Sequence, residues 1–385
     1  MTPRIEDMSR GIIEFRHELH RIPELAGQEF KTMRAIRDRL AALDLEVLPP
    51  FLKTDTVAIL RGARPGKNLT LRADIDGLRI SESSGCPYAS VHPGLMHACG
   101  HDAHAAMLMG AAEVLCSMKD RLKGSIRFVW QPGEENMAMA RDLIAAGALD
   151  APRPDMVAAI HMHPGLPVGS IAMKEGPSDA ACAHFRVAFR GRSGHGSRPD
   201  LSRNPLTAAA FAVSEAQSIV SNRLNPFHAG VVSICYLNSG TLDNIIPENA
   251  VMGGTIRSFD TGEAAMLADA LREICEGAAK AHRVECEVEV CQSYLPVINT
   301  PEETRMAVRA AKKAGLKTET LPEPLMSSED FSYYLAHAPG VMMKLGNGED
   351  SPALHNSAFN ANDEALSYGI RCFVELAREF SATRA

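Results

Sequence analysis

The stretch Met96-His97-Ala98-Cys99-Gly100-His101-Asp102-Ala103-His104 decides how this chain is organised. It places three histidines, a cysteine and an aspartate around one glycine, directly before an apolar run at 105–112. A thiolate and an imidazole two residues apart can reach one metal ion when the backbone between them is irregular, and Gly100 allows such a backbone. An isolated Cys-x-His pair is more often structural, so the metal hypothesis requires complementary ligands elsewhere in the chain.

The composition predicts a globular protein of two domains. The chain has 385 residues, of which 45% are hydrophobic and 23% charged, so a sizeable core is available. Its net charge of −7 argues against a general affinity for nucleic acid or for anionic membranes. The amino-terminal segment lacks the apolar core and cleavage site of a signal peptide, which predicts a cytoplasmic protein.

The cysteines predict reduced thiols and set one residue apart. Nine cysteines form an odd set without a disulfide framework pattern. Most are expected to be small buried hydrophobic residues, whereas Cys99 is distinguished by its neighbours.

Three segments repeat one arrangement, in which an apolar strand leads into a turn rich in ligating side chains and then into a helix. The predicted strands are 68–72, 125–130 and 156–160, and their turns are Ala73-Asp74-Ile75-Asp76-Gly77, Gln131-Pro132-Gly133-Glu134-Glu135 and His161-Met162-His163-Pro164. The carboxyl ends of parallel strands gather the functional groups of open α/β sheets. The sequence therefore predicts an α/β fold with one functional edge. Further elements are predicted as helices at 5–20, 30–43, 103–118, 139–146, 301–314 and the carboxyl-terminal end, and as strands at 56–61 and 340–345.

The pattern changes between 178 and 292, where the order β-α-β-β-α-β predicts a ferredoxin-like α+β domain. Its predicted elements are a strand near 182–189, a helix at 205–223, strands at 230–237 and 250–258, a helix at 262–281 and a strand at 284–291. We therefore predict that a catalytic domain, 1–177 with 293–385, carries an inserted domain, 178–292.

The turns supply a mixed set of donors, namely Cys99, His101, Glu135, His161 and His355. Sulfur, nitrogen and oxygen donors together suit manganese, zinc, cobalt or nickel better than magnesium or calcium, which prefer oxygen alone. Five ligands exceed one tetrahedral site, so the set predicts two divalent transition-metal ions that share a bridge. Glu134, beside the ligand Glu135, is then placed to act as general base and acid.

Nine motifs carry a family resemblance along nearly the whole chain. In order they are RADIDGLRI, MHACGHDAH, QPGEEN, HMHPGLPVG, SGHGSRPD, NIIPENA, GTIRSFD, SSEDFS with LGNG, and LHNSAF. With them the chain resembles the hippurate hydrolase and auxin-conjugate amidohydrolase branch of the aminoacylase-like dinuclear metallopeptidases. The resemblance implies an α/β/α catalytic domain with the five metal ligands and the base Glu134 named above. It also implies an inserted lid domain that mediates dimerisation, and hence a homodimer or higher homo-oligomer.

The resemblance further implies that three residues of the inserted domain contact the substrate, in part across the dimer. They are His195, as a catalytic residue, and Asn244 and Arg257, as substrate-binding residues. An imidazole and an amide can steady a tetrahedral oxyanion, and a guanidinium suits a free carboxylate. Without the motif, a surface ion pair is the more common role for a strand arginine such as Arg257.

Other polar residues near the motifs are assigned supporting roles. His163 is the leading substitute ligand, because it shares a strand face with His161. Asp76 is a candidate for orienting a ligand histidine, and helix capping is favoured over site support for the pair Glu329-Asp330. His97, Asp102 and His104 are interpreted as structural.

Gly77, Arg79 and Ser193 depart from the family pattern, which commonly has Ala, Pro and Gly there. These departures leave the acyl specificity open rather than the type of reaction.

The predicted activity is hydrolysis of the amide bond of an N-acyl amino acid, a small molecule, to a carboxylic acid and an amino acid. Three alternatives remain at this point. A dipeptidase or aminopeptidase could use the same metal site, a thiol hydrolase could use Cys99 as its nucleophile, and a binding protein could retain the fold without catalysis.

Overall fold

A computed structural model of the chain describes residues 5–135 and 137–383. Residues 1–4 of the amino-terminal segment and Asn136 of the QPGEEN motif lie outside the described residues. The chain divides into two compact units. The first comprises 1–178, 298–323 and 330–385, and the second comprises 179–297 with the short segment 324–329.

The helices and strands are numbered in chain order. The helices are α1 (Ile5–Arg21), α2 (Phe30–Leu40), α3 (His101–Cys116), α4 (Ala140–Ala145), α5 (Pro205–Ala216), α6 (Ser218–Arg223), α7 (Thr261–His282), α8 (Pro301–Lys313), α9 (Ser332–Leu335) and α10 (Asp363–Ala382). The strands are β1 (Glu46–Val47), β2 (Thr56–Arg61), β3 (Arg64–Asp74), β4 (Lys123–Gln131), β5 (Met156–His163), β6 (Ser170–Met173), β7 (Gly176–Asp179), β8 (Ala181–Arg190), β9 (Gly194–His195), β10 (Gly230–Ser239), β11 (Ile245–Ile246), β12 (Asn249–Ser258), β13 (Glu285–Tyr294), β14 (Val297–Asn299), β15 (Lys317–Thr320) and β16 (Gly340–Gly346).

The first unit is built on a mixed sheet with the strand order β1-β2-β4-β3-β5-β16-β6-β15. Its four central strands, β4, β3, β5 and β16, pair in parallel. Their carboxyl ends therefore meet at one edge, where β3 ends at Asp74, β4 at Gln131 and β5 at His163. The α/β prediction is confirmed.

Helix α3 is the central helix of the first unit's core. Its residues from Ala103 to Ala112 are all buried, which fits a helix that is apolar around its whole circumference and packs against α1 and α10. Trp130 of β4 is fully buried, and its indole N–H donates to the carbonyl of Ala105 at 3.1 Å. This bond fixes α3 against the sheet and satisfies the one polar group of the indole.

The second unit has a four-stranded antiparallel sheet in the order β10-β12-β8-β13. With α5 and α7 this gives the β-α-β-β-α-β order, so the predicted ferredoxin-like topology is confirmed. The unit has its own apolar cluster, which includes Phe185, Phe189 and Leu271.

Most predicted elements are confirmed, and the differences are local. The helix predicted at 205–223 is two helices, α5 and α6, separated at Gln217. Several short strands were not predicted, among them β6 and β15, because segments of four residues carry too little periodicity to be recognised. Within the described part of the chain, no helix combines the length and apolar character that crossing a membrane requires.

Candidate metal centre

The candidate centre begins at the loop before α3, where Gly100 separates Cys99 from His101. Gly100 has φ +88°, in the left-handed region that favours glycine, and a Cβ atom there would lie 3.2 Å from Met162 Cγ. This backbone turn brings Cys99 and His101 to one side. The irregular geometry predicted for Gly100 is confirmed.

The loop after β4 carries the two adjacent glutamates and is held by two buried carboxylates. Glu29 accepts the backbone N–H of Gly133 at 2.9 Å. Asp76 accepts the N–H of Glu134 with Oδ1 at 3.1 Å and that of Glu135 with Oδ2 at 2.9 Å. Hydrogen bonds to the backbone of this loop therefore fix its position, and the two glutamate side chains remain available for other contacts.

The five predicted ligands come together in the first unit. The ligating atoms of Cys99, His101 and Glu135 lie within 4.8 Å of one another. Cys99 Sγ lies 3.5 Å from His161 Nε2, and His355 Nε2 lies 2.9 Å from Glu135 Oε1. A thiolate and an imidazole on one tetrahedral zinc are separated by about 3.6 Å, so the first of these contacts already has the spacing of shared ligands.

Hydrogen bonds to the backbone direct two of the histidines. His101 Nδ1 lies 2.9 Å from the carbonyl oxygen of Asp76, and His161 Nδ1 lies 2.7 Å from that of Met162. A carbonyl only accepts, so both rings carry a proton on Nδ1 and turn Nε2 towards the centre. Such bonds are the usual way in which proteins orient a metal-binding imidazole.

His104 and Asp74 adjoin the centre, and His104 supports it. The ligating atoms of both lie within 4.8 Å of those of His101 and His161. Both ring nitrogens of His104 are in use, because Nε2 accepts the N–H of Met162 at 2.8 Å and Nδ1 lies 2.6 Å from Asp74 Oδ1. This agrees with the structural role predicted for His104.

Burial and neighbouring charges perturb the donors in the metal-free protein. Burial, and then the Glu135 carboxylate, raises the pKa of the Cys99 thiol. Burial, and then the His104 ring, holds the pKa of His161 well below its usual range, so this imidazole is neutral. Hydrogen bonds to Cys99 and Glu135 raise the pKa of His355 to about 10. Burial works against a charge on His101, but Asp74 raises its pKa well above the usual value.

The donors fit a pair of transition-metal ions. His101 Nε2 is buried, and among the described residues no atom makes a well-aligned hydrogen bond to it, although Asp74 Oδ2 lies 3.7 Å away. Thiol, imidazole and carboxylate groups gathered this closely are suited to replacing their protons by a cation.

His355 provides the most accessible donor. Its side chain is 50% exposed. Its φ of +63° is rare for a residue with a side chain, and its backbone N–H bonds to the carbonyl of Ala98 at 2.8 Å. A strained backbone at an accessible position is a common property of functional sites.

Glu134 is buried at 6% exposure beside the predicted ligand Glu135. The backbone N–H of Asp330 donates to its Oε1 at 3.4 Å. The Asp330 carboxylate in turn bonds Arg72 at 2.5 Å and Gln131 at 2.7 Å, and it accepts the N–H of Ala140, the first residue of α4. Asp330 therefore caps a helix, but that helix is α4, which is distant in sequence. The backbone of the same residue also supports the candidate base Glu134.

The residues predicted to contact the substrate lie in the second unit. His195 is in β9, which pairs with β11, and the carbonyl of Asn244 accepts the N–H of Gly196 at 2.8 Å. His195 and Asn244 are thus neighbours on one exposed ribbon. Arg257 donates from Nη1 to the carbonyl of Met326 at 2.9 Å and to Ser328 Oγ at 2.8 Å.

The remaining predicted residues have these positions. His163 is half-buried at the end of β5, and among the described residues it belongs to none of the groups of clustered ligating atoms. His97 is buried, and burial lowers its pKa to about 4. Asp102 pairs with Arg16 at 2.7 Å. Glu29 is a supporting residue that the sequence did not reveal, because its partner Gly133 lies 104 residues away in sequence.

Comparisons with known proteins agree with this architecture. Residues 70–379 match the family described as peptidase family M20/M25/M40. The chain is 37% identical over 369 residues to N-acetylcysteine deacetylase of Bacillus subtilis, which covers 95% of this chain and 96% of the relative. It is 34% identical over 385 residues to thermostable carboxypeptidase 2 of Saccharolobus solfataricus, covering 98% of this chain and 97% of the relative.

A solved structure shows the same likeness. The Bacillus subtilis YXEP protein, described as a dinuclear metal binding peptidase from the M20 family, superposes with a TM-score of 0.85 at 33% identity, covering 97% of this chain and 98% of that one. The extent of these matches is sufficient to assign the family. The chain belongs to peptidase family M20/M25/M40, and it is a metal-dependent amidohydrolase of that family.

Proposed function

We propose that this protein hydrolyses the amide bond of N-acyl amino acids, including hippurate-like conjugates, to a carboxylic acid and an amino acid. The observation that supports the proposal is the grouping of five mixed donors with the buried Glu134 beside one of them. The N-acetylcysteine deacetylase of Bacillus subtilis, by its name, acts on such a substrate, and this chain is 37% identical to it.

Cys99, His101, Glu135, His161 and His355 would hold two divalent ions of manganese, zinc, cobalt or nickel. When bound, such a pair supplies a Lewis acid for the substrate carbonyl and lowers the pKa of a water molecule. Glu135 would be one of these ligands, since its carboxylate lies 2.9 Å from His355 and belongs to the same group as Cys99 and His101.

Glu134 is proposed to move the protons of the reaction. Its carboxylate would take a proton from the attacking water and pass it to the leaving amine nitrogen, so that the amine departs neutral. The N–H of Asp330 donates to this carboxylate, and the bonds from Asp76 to the N–H groups of Glu134 and Glu135 hold the loop that carries it.

His195, Asn244 and Arg257 are proposed to bind the substrate. His195 and Asn244 would steady the carbonyl oxygen as it becomes negative, and Arg257 would bind the free carboxylate of the amino acid. A homodimer in the cytoplasm belongs to the same proposal, and sedimentation velocity would measure the oligomeric state.

A peptidase activity on the same donors, that of the dipeptidase or aminopeptidase considered from the sequence, is the second candidate. It is favoured by the 34% identity with a protein named thermostable carboxypeptidase 2. The two candidates differ in whether the amino-terminal side of the scissile bond is an acyl group or an amino acid with a free amine.

A hydrolysis panel tests the proposal. Benzoyl-, acetyl-, indoleacetyl- and longer acyl-amino acids are compared with dipeptides of the same carboxyl-terminal residue, after chelation and reconstitution with each of the four metals. We expect the acylated substrates to have the higher kcat/KM and chelated protein to be inactive. Faster cleavage of the dipeptides would favour the peptidase, and full activity after chelation would contradict both candidates.

A further inference from the structure

A second group of mixed donors lies in the first unit and shares no residue with the proposed dinuclear centre. It consists of His20 of α1 with Glu82 and Cys86 of the loop that precedes α3. The ligating atoms of the three residues lie within 4.8 Å of one another. The family resemblance assigns no role to any of them.

Two of the three distances within this group are close to those between ligands of a tetrahedral ion. His20 Nε2 lies 3.1 Å from Glu82 Oε1, and Cys86 Sγ lies 3.6 Å from the same oxygen. Usual zinc–ligand bond lengths place nitrogen and oxygen ligands of one tetrahedral zinc about 3.3 Å apart, and sulfur and oxygen ligands about 3.5 Å apart. An ion could therefore be accommodated by small side-chain adjustments.

The donors are already oriented by other groups. His20 Nδ1 lies 2.9 Å from Asp102 Oδ2, which directs Nε2 towards Glu82. A carboxylate that bonds the far nitrogen of a histidine is a recurrent partner of metal-binding imidazoles. The backbone N–H of Ser90 donates to Glu82 Oε2 at 2.7 Å, while Oε1 faces the other two donors and also accepts from the hydroxyl of Ser84.

The charge balance also favours a divalent ion. His20 lies between two carboxylates, so both of its ring nitrogens donate, and the Cys86 thiol donates to the same oxygen of Glu82 as His20 does. Burial raises the pKa of the Cys86 thiol, which keeps its proton in the metal-free protein. A divalent ion that replaces these two protons leaves the net charge of the group unchanged, so the surroundings need no new counter-charge.

We propose that His20, Glu82 and Cys86 form an additional site for a thiophilic divalent ion of the zinc class, separate from the catalytic pair. The mixed sulfur, nitrogen and oxygen set excludes magnesium and calcium as its natural ions. Water could complete the coordination only from the side of the half-buried Cys86, since the side chains of His20 and Glu82 are 0% and 6% exposed. The ion would join the loop that leads to Cys99 to helix α1, and would stabilise the first unit.

Site-resolved alkylation tests the proposal directly. The protein is chelated, titrated with Zn²⁺, and treated with iodoacetamide, and chymotryptic cleavage after Tyr88 separates Cys86 from Cys99 for mass spectrometry. We expect zinc to slow the alkylation of Cys86 about tenfold or more, because a coordinated thiolate is a poor nucleophile. The half-buried Cys116 is the internal control, and its rate should not change.

A pair of variants separates this site from the catalytic centre. In a Cys99→Ser background, zinc should still protect Cys86 and should raise the unfolding temperature. In Cys99→Ser with Cys86→Ser the rise in unfolding temperature should be lost or much smaller. Equal alkylation of Cys86 with and without zinc, or an unchanged zinc effect in the double variant, would overturn the proposal. Neither outcome depends on whether the enzyme hydrolyses N-acyl amino acids.

Discussion

His101 Nδ1 lies 2.9 Å from the carbonyl oxygen of Asp76, whose carboxylate accepts the backbone N–H groups of Glu134 and Glu135. One residue therefore orients a proposed metal ligand from the loop before α3 and also fixes the loop that carries another proposed ligand and the proposed base. The role suggested for Asp76 by the sequence, orienting a ligand histidine, agrees with this geometry. The Asp76 carboxylate also holds the loop of the two glutamates, a function that the sequence did not indicate.

Asp76→Asn should weaken metal binding by about 10- to 100-fold, the usual effect of losing a group that positions metal ligands. An amide has one accepting oxygen, so one of the two glutamate N–H groups would face an NH₂ group instead. Competition with a fluorescent chelator measures the affinity. Asp44→Asn, at an exposed aspartate that pairs with Lys119, is the matched control and should bind metal normally. Unchanged affinity in Asp76→Asn would show that this carboxylate does not position the ligands.

Glu134→Gln should retain both metal ions but lose on the order of 10² to 10⁴ in kcat, because the amide cannot accept and return a proton. Glu135→Gln is the neighbouring comparison and should lose metal, since its carboxylate faces His355 at 2.9 Å. Metal analysis and steady-state kinetics on the same samples distinguish the two effects. Near-normal turnover in metal-loaded Glu134→Gln would exclude it as the base.

The sequence was sufficient to predict the polar edge of the sheet, because the residues that form each part of it are close together in the chain. Strand, polar turn and helix follow one another within short windows, and parallel strands bring their carboxyl ends together whatever the intervening chain does. Gly100 was recognisable for the same reason, because the unusual backbone and the two donors it separates are adjacent in the chain.

Buried polar networks could not be predicted in this way. Arg72 and Asp330 are 258 residues apart in sequence, yet their side chains meet at 2.5 Å, and Glu29 reaches Gly133 across 104 residues. No periodicity or motif relates such partners. Their pairing follows from the requirement that a buried charge be compensated, which can be assessed only when the fold is known.

Cys99→Ser should fold normally and bind metal more weakly, with lower occupancy after dialysis. The serine hydroxyl is close in size to the thiol but is a far poorer ligand for zinc-class ions. Inductively coupled plasma mass spectrometry gives the metal content, and circular dichroism reports folding. Normal metal content in this variant would contradict its role as a ligand. A thiol nucleophile would instead give an inactive protein with its metal complement intact.

Glu29 should make the stability of the metal-free protein depend on pH. Burial, and then Asp76, raises its pKa to about 7 from the ordinary value of 4.5. Between these values the folded state holds a proton that the unfolded state has lost, so the free energy of unfolding falls as pH rises from about 4.5 to 7. The whole effect is on the order of 3 kcal/mol.

Glu29→Gln removes this titration, so the wild-type protein should lose stability relative to the variant between pH 5 and pH 8. The fluorescence of Trp130, the single tryptophan of the chain and a core residue of the first unit, follows unfolding of that unit in urea. Glu285→Gln, at an exposed position of β13, is the control and should run parallel to the wild type. A wild-type curve parallel to that of Glu29→Gln would mean that Glu29 ionises normally.

Arg16→Met should destabilise the first unit by about 3 to 5 kcal/mol, because it leaves the buried carboxylate of Asp102 without its closest counter-charge. The two side chains are both fully buried, and Arg16 Nε lies 2.7 Å from Asp102 Oδ2. Arg10→Met tests the same change on the same helix at an exposed residue, where the pair with Glu14 is worth about 0.5 kcal/mol or less. Urea unfolding followed by Trp130 fluorescence compares the two arginine variants.

Adding Asp102→Asn to Arg16→Met should recover part of the lost stability, since it removes the uncompensated charge. Equal small effects of the two arginine variants would show that the buried pair contributes no more than the exposed one.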